Sequence, residues 1–160
     1  MMTMKGADIM SIAKEFSAIT RMLNTFVRQF DEDYSVKFGA DFQALLDDCT
    51  IQYSVIMPQK SSDAFYHDFI TRFPACSVLS VFCLSFLHEL GHLETEWDMI
   101  DDTEERNTIR NDADYFHLYN ETIATNWAGN YATENIETMK NFDKKISEKI
   151  KKVLDKLIDE

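Results

Sequence analysis

The chain predicts an α+β fold, mostly helical, with a small two- to three-stranded antiparallel sheet beside a central helix. Three observations carry this. Only four Gly and two Pro occur in 160 residues, which favours long helices over loops. Apolar residues recur at helical spacing over most of the chain. Alternating patterns are confined to residues 34–57, where Gly39 follows the first run and Pro58 the second.

Ile9, Ile12, Phe16, Ile19, Leu23, Phe26, Val27 and Phe30 form one stripe and predict an amphipathic helix over 8–30. Tyr34, Val36 and Phe38 then alternate with polar residues, and Ile51, Tyr53, Val55 and Met57 alternate again. Both read as strands. Phe42, Leu45 and Leu46 between them form a third short strand, with Asp47-Asp48 as a turn. Ser61 or Ser62 is an N-cap candidate for a helix carrying Phe65, Phe69, Ile70 and Phe73, which Pro74 breaks. The next helix, about 75–97, is apolar on all sides for three turns, as a core helix is. Residues 98–111 are polar and read as a surface loop or solvated helix. A helix over 112–131 carries Tyr115, Leu118, Tyr119, Ile123 and Trp127. From residue 133 to 160 a long amphipathic helix carries Ile136, Met139, Phe142, Ile146, Ile150 and Val153 on one stripe. That stripe is either ordinary packing or a homodimer or partner surface. With no repeat or linker, residues 1–160 read as one domain.

The central helix carries His88-Glu89-Leu90-Gly91-His92. Histidines at i and i+4 share a helix face, so both imidazoles can reach one metal ion. Glu89 points close to the same place and can take a proton from a water there without ligating the metal. A catalytic zinc takes three protein ligands and keeps a position open. A third histidine six residues on is excluded, because His92 is followed by Leu-Glu-Thr-Glu-Trp-Asp. A glutamate on a following helix fits instead: Asn120-Glu121-Thr122-Ile123-Ala124, with Trp127-Ala128 beyond. Ala124 and Ala128 put no bulk near Glu121, so that helix could approach the histidine helix closely. Asp112 and Asp114 are alternative ligands or ligand partners. His117, one turn before Glu121, is the first candidate to stabilise a developing oxyanion, with Tyr115 and Tyr119 as alternatives.

The HELGH segment followed by E-x-x-A-x-x-aromatic-A resembles the gluzincin metallopeptidases, in particular the small ImmA/IrrE-like proteins, over roughly residues 30–130. The resemblance implies Zn2+ held by His88, His92 and Glu121, with Glu89 as general base in peptide-bond hydrolysis. A protein or peptide substrate could lie along the sheet edge by strand addition. The chain departs from the family at Ile123 and Thr125, where a second Glu and an Asn are common. It departs again at 129–132, where Gly-Asn-Tyr-Ala replaces Leu-Leu-Met-Pro. The alternative from another class is a non-catalytic zinc-binding or partner-binding module that uses the C-terminal helix.

A net charge of −12 opposes nucleic-acid partners and anionic membrane surfaces. The longest apolar run, 75–87, is too short to span a bilayer. Cys49, Cys76 and Cys83 make no disulfide framework, and residues 1–10 show no secretory pattern. The expected location is therefore cytoplasmic.

Overall fold

The computed structural model describes residues 6–55, 59–95 and 113–158, with the side chains of 12–55, 63–95 and 120–156. Among these residues, five α-helices and three strands follow in the order α1 (Gly6–Val27), β1 (Ser35–Phe38), β2 (Gln43–Leu45), β3 (Thr50–Tyr53), α2 (Gln59–Arg72), α3 (Val81–Thr95), α4 (Ala113–Glu134) and α5 (Ile136–Ile158). The α+β class holds, with helix predominating and a small sheet beside α3.

The sheet is mixed rather than antiparallel. Its order is β1-β3-β2, with β1 parallel and β2 antiparallel to β3. The expected meander would put consecutive strands side by side. Here β2 belongs to the crossover that returns the chain to β3 in the direction of β1, and it pairs on the far side of β3. The register sets Val36 against Ile51 and Ala44 against Ile51. Ile51 and Tyr53 on the central strand are fully buried, and the Tyr53 hydroxyl meets Thr20 Oγ1 of α1 at 2.7 Å. Asn24 Oδ1 accepts the Val36 N–H at 2.8 Å, so α1 covers part of the β1 edge. Asp47 and Asp48 lie in a 3-10 turn, Leu46–Asp48, which closes at Cys49 with φ of 52°.

Helix α3 starts six residues later than its apolar run suggests. Pro74–Val78 forms a separate 3-10 turn. Ser80 then caps α3, its Oγ accepting the Cys83 N–H at 3.1 Å. The Asp143 carboxylate of α5 accepts the Ser80 N–H at 2.8 Å, the Ser80 hydroxyl at 2.6 Å and the Ser147 hydroxyl at 3.2 Å. At the other end, the Tyr34 hydroxyl is shared between the Leu93 carbonyl at 3.2 Å and Glu94 Oε2 at 3.1 Å. Burial and the Glu94 charge push the Tyr34 phenol far above its ordinary range, so it remains a donor. The buried α3 is thus anchored at both termini.

Helix α2 begins at Gln59, so Ser61 and Ser62 lie in its first turn rather than capping it. Helix α1 ends at Val27, and Phe30 falls in the turn beyond. Glu15 pairs with Lys156 at 3.7 Å and the Phe26 ring meets Phe142 at 4.6 Å, so α1 and α5 run antiparallel. On the described stripe of α5, Met139, Ile146 and Val153, seven residues apart, are fully buried, while Ile136, Phe142 and Ile150 are half-buried. Residues 98–111, Asp112 and Trp97 lie outside the described residues. Among the described residues, no helix is long and apolar enough to cross a membrane.

Candidate metal centre

Helices α3 and α4 pack along one another, and that contact builds the site. Ala124 and Ala128 are fully buried. A Cβ on Gly91 would stand 2.5 Å from the Ala124 carbonyl oxygen, so the glycine of HELGH permits the approach. His88 and His92 sit one turn apart with ring centroids at 4.8 Å and planes nearly perpendicular. Both are buried.

Across the contact, Glu121 reaches both rings. Its Oε2 is 2.6 Å from His88 Nε2, and its Oε1 is 3.1 Å from His92 Nε2. Burial alone would raise the Glu121 carboxyl. The hydrogen bonds and charges of the two histidines together outweigh burial and hold it well below the usual carboxylate range. His88 is fixed from its other side as well: Nδ1 lies 2.9 Å from Thr125 Oγ1, and the Phe65 ring of α2 packs edge-on at 5.6 Å. A ring that offers Nε2 to a metal carries its proton on Nδ1, which then donates to the Thr125 hydroxyl.

The donor set fits zinc. Two imidazole nitrogens and a carboxylate are its usual protein ligands at a site with an open position. Ligand atoms across a tetrahedral zinc stand about 3.3 Å apart, and the distances of 2.6 and 3.1 Å here fall within an ångström of that. The potential donor atoms of His88, Glu89 and His92 also lie within 4.8 Å of one another.

Glu89 occupies a different position from Glu121. It faces a cleft of about 280 Å³ with His92, Glu121, Asn120, Phe42, Leu46 and the β2 residues Gln43 and Ala44 on its walls. Burial pushes its carboxyl above the ordinary value. The charges of His88 and His92 and the nearby backbone of Ala44 offset part of that rise. The site thus combines a low-pKa carboxylate on the imidazoles with a raised one beside them.

His88, Glu89, His92 and Glu121 are therefore brought together. His117 lies on α4 one turn before Glu121, but its side chain is outside the described residues, as are those of Tyr115, Tyr119 and Asp114. Two contributors were missed in the sequence. Thr125 is four residues after Glu121, hence on the same face, and that spacing could have identified it. Ala44 carries no local signal, because only the sheet topology brings β2 to the cleft beside Glu89. No protein-family model, curated protein or solved structure matches the chain.

Proposed function

We propose that the chain is a zinc-dependent peptidase of the gluzincin kind, hydrolysing a peptide bond in a protein or peptide substrate. His88, His92 and Glu121 hold the metal and Glu89 is the general base. One observation carries this reading: a single carboxylate from α4 faces both Nε2 atoms of an HExxH helix, and Glu89 lies beside it in an open cleft.

Zinc, when bound, polarises a scissile carbonyl and lowers the pKa of water toward about 7. Glu89 accepts the proton of the attacking water and passes it to the leaving amine. Its raised carboxyl suits that exchange, since it holds a proton more readily than an exposed glutamate. Strand β2 has β3 on one side only and borders the cleft, so an extended substrate can align there through main-chain hydrogen bonds. Phe42 and Leu46 supply apolar contact to its side chains.

Metal analysis and a quenched-fluorescence peptide-library assay on wild type, Glu121→Ala and Glu89→Gln test the reading. Wild type should carry about one zinc and cleave peptides. Glu121→Ala should lose the metal. Glu89→Gln should keep it while activity drops by about 10²- to 10⁴-fold. A wild type without zinc, or an active Glu89→Gln, overturns the assignment. A zinc-loaded wild type that cleaves nothing favours a non-catalytic zinc-binding module.

A further inference from the structure

We propose that the outer face of α1, with the groove between it and α5, is a docking surface for an acidic amphipathic helix of a partner protein. The inference is independent of the metal centre.

The chain has 28 acidic residues against 16 Lys and Arg. Carboxylates should therefore line most of its surface. Yet two adjoining depressions flanking α1, of about 400 and 470 Å³, are lined by Arg21, Arg28 and Lys145 and, among the described residues, by no carboxylate. The two depressions share Arg21. All three cations are exposed, and among the described residues none of them forms an ion pair. Met22 and Phe142, both half-buried, line the second depression together with Arg21, Lys145 and the buried Phe26, while Arg28 lines the first.

The spacing selects the partner. Arg21 lies on α1 and Arg28 in the turn that continues it, its N–H donating to the Asn24 carbonyl at 3.1 Å, so the two stand at i and i+7, about 10 Å apart along the helix direction. A small anion reaches only one of them. A second helix laid along the groove can place carboxylates two turns apart against both arginines. Its flank can meet Lys145, and its apolar residues can cover Met22 and Phe142. A nucleic acid could meet the cations and stack bases on Phe142, but the net charge of −12 on the chain repels its phosphates. In such an interface the exposed pairs set orientation and specificity, while the apolar floor supplies burial.

The test is selection of peptides from a random phage-displayed library on the full chain. A selected peptide is then synthesised with a fluorescent label and measured by anisotropy. Selected peptides should be net acidic, with two or more large apolar residues at helical spacing. They should bind the Arg21→Glu/Arg28→Glu/Lys145→Glu variant at least about tenfold more weakly. The Arg21→Lys/Arg28→Lys variant keeps both charges and should bind within about threefold of wild type. Thermal melting checks that each variant is folded. No enrichment, enrichment of neutral or basic peptides, or equal binding to the charge-reversed variant overturns the proposal. So does a labelled single-stranded oligonucleotide that binds this face where acidic peptides do not.

Discussion

At the residue scale, Glu121 is the side chain on which the centre turns. In the metal-free chain its depressed carboxyl makes it a stabilising ion. A depressed carboxylate contributes stability above its unfolded value and loses it as pH falls. The wild-type advantage over Glu121→Gln should therefore be present above the ordinary glutamate value of 4.5 and vanish on acidification below it. Its side chain is 39% exposed, which limits the effect to on the order of 1 kcal/mol. Urea denaturation of both proteins in chelator across pH 3–7 checks this, and a constant difference would refute it. Thr125 acts through His88. Thr125→Val preserves shape but removes the hydroxyl, so zinc affinity should fall by about 10- to 100-fold. A competitive chelator titration reads that change, and an unaltered affinity would mean that Thr125 does not orient the ring. His88, Glu89, His92 and Glu121 were legible because helical spacing fixes which residues share a face. Thr125 was legible as a position but not as a hydrogen-bond partner, because its partner stands on another helix.

At the element scale, two features hold α3 against its neighbours. Gly91 is the first. Gly→Ala on an exposed helix ordinarily gains about 1 kcal/mol. Here the new methyl would meet the backbone of α4 at 2.5 Å. Gly91→Ala should instead cost about 1–3 kcal/mol and lower zinc occupancy, as α4 is forced away from the histidines. A stabilised, zinc-replete Gly91→Ala would refute the close-approach argument. The second is Asp143, a buried carboxylate that accepts from Ser80 and Ser147. Asp143→Ala strands those donors and should cost about 2–4 kcal/mol, against about 1 for Ser80→Ala. Equal losses in urea denaturation would mean that Asp143 does no more than the cap. The sequence marked α3 by its apolar run but misjudged its start. Residues 75–79 are as apolar as the helix itself, and the stop comes from Ser80 and a distant aspartate. It marked the strands by alternation, yet their pairing depends on the path of the chain between them, which alternation does not encode.

At the scale of the whole molecule, the helical pairs divide the work. The α1–α5 pair buries the long apolar stripes, while α3 and α4 meet closely and carry the proposed metal ligands. The class was legible because periodicity is local. The helix pairing was not, because Phe26 and Phe142, or His88 and Glu121, meet only after the chain returns on itself. This separation has a thermodynamic consequence. The proposed ligands come from two helices that lie side by side only in the native state, so zinc held by them would bind the folded chain far better than the unfolded one. Free zinc at about a thousand times its Kd should then stabilise the fold by about 4 kcal/mol. At about 2–4 °C per kcal/mol for a domain of this size, Tm should rise by about 8–16 °C over that in chelator. His88→Ala and Glu121→Ala should lose that increment. Arg21→Glu, on the outer face of α1, should keep it, because it touches neither histidine helix. Calorimetry with zinc and with chelator decides the matter: a wild-type Tm indifferent to zinc would remove the metal from this site and leave Glu121 as a purely structural partner of the two histidines.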